Sequence, residues 1–350
     1  MNRPTAQPSD TPTAIVVSGL GVVSPAGWGM DPFWDRLTQG VTLPAQPVQR
    51  PGWDRPLRVR LVPRPTSPLP QLGHPRLRRA STISRHALAA AHEALGADAT
   101  PGDGRLGLLF ATMSGSVNYS RRFYQEVLED PAMASPLLFP ETVFNAPASH
   151  LASILGASVD YTVVGDITSF LDALGVAHGW LHEDKVDRCL VVASEEHDWL
   201  TADAIRHFSR RVILAEGAAA ICLRRQSEPS SQVRIEGLTS MRSFQRSDQR
   251  VAAARQVRQA LPAGNAESLL CDGQQDAARL DAADIMAWKG WPGHRLSPKK
   301  VFGEGLTAGS GWLCLAALRW LMDAPSGHAY AAVTGLTHQA AAVHFSKSTS

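Results

Sequence analysis

The chain has 350 residues, 44% of them apolar and 19% charged, with 34 Lys and Arg against 32 Asp and Glu. A chain of that length can bury a large core, and a net charge of +2 supplies no field strong enough to recruit nucleic acid or an anionic membrane surface. No run of eighteen apolar residues occurs and the opening residues lack the apolar core of a secretory signal, so the expected location is cytoplasmic, without membrane insertion.

Residues 1–13, rich in Pro, Thr and polar side chains, read as a flexible N-terminus. A buried strand follows at 14–23, carrying Gly19 and Gly21 and closed by Ser24 and Pro25. A helix is expected at 31–39. The Pro-rich and basic stretch 42–75 reads as a surface excursion with one short strand near 57–62. Helix and strand then alternate: helix 84–95, strand 105–111, helices 119–128 and 146–155, strand 160–164, helix 168–182, and strands 188–193 and 218–223. A polar break at 226–232 is the best internal boundary. Beyond it the pattern begins again, with strand 233–241, helix 252–261, strand 268–271, helices 277–288 and 308–322, and strands 331–333 and 341–345. Two α/β halves, 14–225 and 233–350, joined by the connector 226–232, are therefore expected to share one core.

Cys189, Cys222, Cys271 and Cys314 lie far apart without a C-x-x-C pair, which argues against disulfides and structural zinc. Their surroundings read as buried strand or helix. Gly19 and Gly21 lack the third glycine and the ribose-binding acid of a dinucleotide fingerprint. The basic runs at 76–79 and 209–211 read as solvated faces, with docking of an acidic carrier protein as the alternative.

Several segments carry a more specific signal. They are VVSGLGVVSPAGWGMDPFWDRLTQG (16–40), SPLLFPETVFNAPASHLASILG (135–156), LDALGVAHGWL (171–181), LVVASEE (190–196), AEGAAAICL (215–223), SPKKVFGEGLTAGSG (297–311) and VTGLTHQAA (333–341). In this order they resemble the β-ketoacyl synthases of the thiolase superfamily over nearly all of the chain after Ala14. The resemblance implies an α/β, thiolase-like five-layered αβαβα fold built from two pseudo-duplicated halves. It also implies chemistry on acyl chains carried by acyl carrier protein, with a cysteine thiolate at a helix start and two histidines that assist decarboxylation and stabilise the oxyanion.

Laid on that pattern, the nucleophile position falls on Ile167, with Asp166 before it. The first histidine position falls on Asp272 and the second on Glu304, while the associated lysine is kept as Lys299. The gate after the last-but-one strand has Leu336 where the family has phenylalanine. A hydrocarbon side chain cannot form a thioester, so no catalytic residue is expected. Thr168 and Ser169, at the same helix start, read as capping residues rather than substitutes, and His150 as a packing and hydrogen-bonding histidine.

Asp166, Asp272, Glu304 and Lys299 should converge on the vacated site. An ion pair of Lys299 with Glu304 or with Asp272 is expected there, and one acid should have a raised pKa. The resemblance favours a cysteine-less, chain-length-factor-like subunit of a polyketide, aryl polyene or specialised fatty-acid system. Its partners would be a cysteine-containing ketosynthase homologue and an acyl carrier protein, or a second copy of itself. Tyr161, Thr162, Val163 and Val164 would form the dimer edge, and Leu137, Leu138 and Phe139 would close the partner's acyl tunnel. Two alternatives remain open: an acyl-thioester hydrolase or proton-transfer enzyme using the acidic cluster, and a homodimeric acyl- or carrier-binding protein. No cofactor and no metal are expected.

Overall fold

The structure is a computed structural model and describes residues 14–96, 104–226 and 232–348. The expected N-terminal segment 1–13 and most of the connector 226–232 lie outside the described residues. Strand β1 (Ile15–Ser24) turns through β2 (Gly27–Trp28) into helix α1 (Met30–Gln39). The Pro-rich excursion is held by a small sheet of β3 (Gln46–Val48), β4 (Leu57–Arg60) and the later β8 (Leu214–Ala215). The first half continues with α2 (Thr82–Leu95), β5 (Leu106–Thr112), α3 (Val117–Glu129), α4 (Ala146–Leu155) and β6 (Val159–Val164). It closes with α5 (Ser169–His182), β7 (Arg188–Glu195), α6 (Trp199–Ile205) and β9 (Gly217–Arg225).

The second half comprises β10 (Val233–Leu238), β11 (Arg242–Ser243), α7 (Arg250–Gln259), β12 (Leu269–Cys271) and α8 (Ala278–Ala287). After them come β13 (His294–Leu296), α9 (Pro298–Phe302), α10 (Leu306–Asp323), β14 (Gly327–Thr334) and β15 (Gln339–Lys347). Among the described residues the main sheet has the order β13-β12-β14-β15-β10-β1-β9-β7-β5-β6. Read outward from the junction of β1 and β10, the two halves run β1-β9-β7-β5-β6 and β10-β15-β14-β12-β13. Strand directions repeat as well: two antiparallel pairings are followed by two parallel ones on each side. This repetition is the duplication that the sequence implied. At the junction itself the halves share one register pair, Val16 with Arg234.

Apolar packing defines the layers. The central core draws on α5, α10 and residues of both sheet halves, among them Phe170, Leu174, Trp312, Leu313, Val191 and Val343. A second cluster packs α2 and α4 on the outer face of the first half, and a third packs Phe244, Val257 and Trp288 against Leu270 and Tyr330 on the outer face of the second. Helix, sheet, helix, sheet and helix thus form five layers. Strands covered on both faces read as continuous apolar runs, as β5 and β7 do.

Gly19 and Gly21 have a packing reason. A Cβ at either would run into the carbonyl oxygen of Ala94 or Ala90, so β1 and α2 meet backbone to backbone. The short elements β3, β13, α6 and α9 were not foreseen. The last two are too brief for helical periodicity to register, and α6 is fixed instead by Asp198, whose carboxylate accepts from the backbone N–H of Leu200 at 2.8 Å. Among the described residues no helix is long and apolar enough to cross a membrane.

Candidate functional site

Ile167 sits in the turn that leads into α5 and is fully buried. Its backbone N–H donates to Asp166 Oδ1 at 2.8 Å, and its carbonyl accepts from the Ser310 hydroxyl on α10. A helix start of this kind stabilises an anion and would lower the pKa of a thiol placed there. The side chain present is hydrocarbon, so the position has no nucleophile.

Asp166, also buried, receives the backbone N–H of His338 on its other carboxylate oxygen at 3.1 Å. A Cβ on Gly335 would collide with that oxygen. Asp166 therefore ties the start of α5 to the four-residue loop between β14 and β15. Arg250, at the start of α7, holds the same loop from the other side. Its guanidinium donates to the carbonyls of Gly335 and Leu336 and lies 5.3 Å from the centre of the Phe244 ring. Leu336 is buried. The loop expected to act as a gate is thus pinned at both its backbone and its side chain.

Asp272 follows β12 and is fully buried. It accepts from Ser297 Oγ at 2.6 Å, from Gln274 Nε2 at 2.8 Å and from the Gln274 backbone N–H at 3.2 Å. Its ionic neighbour is Arg295, whose Nε lies 3.5 Å away. Of the two ion pairs expected for Lys299, the structure forms the one with Glu304, at 2.8 Å with both side chains buried. Gln275 Nε2 donates to the same oxygen of Glu304 at 3.3 Å, and the backbone N–H of Leu306 donates to the other at 3.0 Å. Leu306 adopts φ 51°, a left-handed conformation uncommon for such a side chain.

Asp166, Asp272 and Glu304 therefore do not bond to one another. Asp166 and Glu304 lie within electrostatic reach of Arg250, and Asp272 within that of Asp284. Sequence reasoning missed Arg250 and Asp284, and the only signal was acidic residues spaced three apart on α8, a helix with an apolar face. It missed Glu195 too. This last residue of β7 accepts from the backbone N–H groups of Met113 and Ser114 and from the hydroxyls of Thr112, Ser114 and Thr307. The carboxylate so joins the ends of β5 and β7 to the first turn of α10. Burial pushes its pKa up.

One expectation changes. Thr168 does not cap α5: its hydroxyl donates to Gln339 Oε1 at 2.7 Å, and no side-chain cap bond forms there. The Asp166 carboxylate instead takes the N–H of Ile167 in the turn before the helix. His150, expected to pack and to hydrogen-bond, does bond through Nε2 to Glu141 at 3.0 Å. All four cysteines are free and buried, and burial pushes the thiols of Cys189, Cys271 and Cys314 up. Of the tunnel residues, Leu138 is buried, whereas Leu137 and Phe139 are exposed. Tyr161 and Val164 are exposed, and Thr162 and Val163 half-buried, on β6 at the free edge of the sheet. A cleft of about 400 Å³ opens beside the pinned loop, lined by Phe208, Phe244, Arg250, Arg279, Leu280 and Leu336 among others.

Asp284, which the expected cluster did not include, is another acid with a raised pKa. Burial, followed by the nearby Asp272 charge, pushes it up to about 7, although Thr334 donates to it at 2.9 Å. The folded chain therefore holds a proton that the unfolded chain releases once pH exceeds the ordinary value of 3.8. Stability from this group is full below that value and is lost as pH rises through about 7. Asp284→Asn is expected to flatten the decline of the urea midpoint between pH 4 and 7, a decline bounded at about 1.4 kcal/mol per pH unit. An unchanged slope would assign the dependence to another acid.

Chemically, the site offers acceptors that are already engaged and one ammonium that is already paired. The Ile167 side chain at the helix start cannot take an acyl chain. Residues 53–280 match the β-ketoacyl synthase N-terminal domain. The chain is 32% identical over 197 residues to a polyketide β-ketoacyl synthase 1 of Streptomyces halstedii, covering 52% of this chain and 46% of that protein. The match therefore spans less than half the length of that relative. Among solved structures, the ishigamide ketosynthase/chain length factor superposes with a TM-score of 0.78 at 20% identity, covering 96% of this chain and 100% of that one. A type II polyketide synthase ketosynthase and acyl-carrier protein complex, bound to the hexaketide, gives a TM-score of 0.75 at 14% identity, with 97% and 100% covered.

Proposed function

The chain belongs to the β-ketoacyl synthase family, and on that premise we propose that it is a non-catalytic, chain-length-factor-type subunit. It pairs with a cysteine-bearing ketosynthase in the cytoplasm and acts on acyl chains delivered by acyl carrier protein in polyketide biosynthesis. The observation that carries this reading is Ile167, fully buried at the start of α5, where the family places its acyl-accepting cysteine. Replacement of both histidine positions by Asp272 and Glu304 points the same way, since each carboxylate is occupied by structural partners. The chain-length-factor and carrier-protein complexes among the structural neighbours support the kind of partner.

In this reading the halves 14–225 and 233–350 serve as scaffold, β6 with Tyr161, Thr162, Val163 and Val164 meets the synthase, and Leu137, Leu138 and Phe139 limit the acyl chain by steric exclusion. Leu137 and Phe139 are exposed, although the Phe139 ring lies 5.6 Å from that of Phe123, and such exposure fits side chains awaiting a partner's tunnel.

The test is co-expression with a cysteine-bearing ketosynthase from the same genome. The expected result is a stable complex that extends carrier-bound chains to a defined length, at least about tenfold faster than the synthase alone. Phe139→Ala should lengthen the product, because a chain grows until it meets side chains it cannot displace. A synthase indifferent to this chain would overturn the proposal, as would an acyl adduct on this chain in intact-mass spectra.

A further inference from the structure

Beside the buried pair of Lys299 with Glu304 lies a smaller cavity of about 120 Å³, lined by Arg60, Arg211, Gln275, Asp276, Lys299 and Lys300 among others. Ile167, Asp272 and Leu336 do not line it, and it shares no lining residue with the cleft beside the pinned loop. Pockets for drug-sized ligands start at roughly 300 Å³, and one water takes about 30 Å³. The space therefore suits an ion of a few heavy atoms and not an acyl chain.

Its lining is cationic and short of partners. Arg60, on β4, is buried, and its Nε donates to the Leu43 carbonyl at 2.8 Å. Among the described residues neither terminal nitrogen of that guanidinium has a hydrogen bond, and the side chain has no ion pair. Buried charges are normally paired, and desolvation accordingly pushes the pKa of Arg60 down. Lys299 gives one N–H to Glu304 at 2.8 Å, and the other two have no acceptor among the described residues. Arg211 is exposed and Lys300 half-buried. Lys300 Nζ reaches Gln274 Oε1 at 3.2 Å and Asp276 at 3.9 Å.

An acceptor among these cations narrows the choice of ion. Gln275 Nε2 is turned toward Glu304, a carboxylate that can only accept, so the amide oxygen faces away from it. That Oε1 is buried and has no donor. We infer that the cavity binds a small oxyanion that keeps a proton at neutral pH, phosphate or bicarbonate. Its oxygens accept from Arg60 and Lys299, and its hydroxyl donates to Gln275 Oε1. Charge agrees: the four cations, set against the carboxylates of Asp276 and Glu304, leave two positive charges for the anion to neutralise. Sulfate resembles phosphate in shape but has no O–H at pH 7, and it would set an oxygen against Oε1. The inference goes beyond the proposed function, which needs no ligand in this chain, and the ion would tie β4 to the segments that carry Gln275 and Lys299.

Isothermal titration calorimetry on the full-length chain at pH 7 and constant ionic strength, with inorganic phosphate, bicarbonate and sulfate in turn, tests it. Phosphate or bicarbonate is expected to bind at least about tenfold more tightly than sulfate. Gln275→Leu should abolish that preference, and Arg60→Met should weaken binding at least about tenfold. Arg211→Ala, at an exposed position that folding does not depend on, should weaken it about threefold and keep the preference. The tighter of the two protonated ions names the occupant. Sulfate bound as tightly as either, no binding of any of the three, or affinities unmoved by Arg60→Met and Arg211→Ala would overturn the inference. A chain that ignores all three ions yet supports chain extension with the cysteine-bearing synthase would overturn it too, while leaving the proposed function standing.

Discussion

Lys299→Ala is expected to destabilise the chain by about 3–5 kcal/mol, the range for removing one member of a buried ion pair. Glu304 would then remain fully buried with only the N–H of Leu306 and the amide of Gln275 as donors. The companion experiment separates the worth of the pair from the penalty of orphaning a charge. Lys299→Met combined with Glu304→Leu removes both charges, and apolar replacement of a buried pair is often neutral or stabilising. Urea denaturation should therefore rank the double variant well above Lys299→Ala. If the two variants unfold at the same midpoint, the ion pair is not what the site depends on.

Ile167→Cys should leave condensation at least about 10⁴-fold below that of a competent synthase. The thiol would stand at the start of α5, where the helix favours a thiolate. The two positions that should aim donors at developing oxyanion charge nevertheless hold Asp272 and Glu304. Losing one such donor typically costs about 10²–10³ in rate, and two are missing. Intact-mass spectra after incubation with an acyl donor would report any thioester on the introduced thiol, and a chain-extension assay would report turnover. Turnover at synthase-like rates in this single variant would show that the carboxylates do not impede the chemistry, and the pseudoenzyme reading would lose its basis.

Much of the fold was legible from periodicity. The strand at 105–111 and the helix at 146–155 are long, uniform segments whose apolar pattern is set by the same layers that bury them. The mirrored strand order was legible in part, through the glycine-bearing strands that open each half. Among the elements that escaped were β3, β13, α6 and α9, pieces held by neighbours or by a cap rather than by their own pattern. At the site, the substitutions Ile167, Asp272 and Glu304 could be read from the order of motifs, but their partners could not. Arg295 lies 23 residues from Asp272, and the Asp166 contact with His338 spans 172 residues. Such pairings are tertiary, and charge alone gave Lys299 two equally plausible acids. Arg250 and Glu195 were overlooked for the same reason: their importance lies in backbone groups they bind, and backbone has no sequence signature.

The strand β6 ends the sheet with an open ladder of amide and carbonyl groups, flanked by Tyr161 and Val164. Such a rim is adhesive toward any extended polypeptide it meets. On the proposed function, molecules made in excess of the synthase are the ones driven toward aggregation, so that gene dosage as well as shape is constrained by this strand edge.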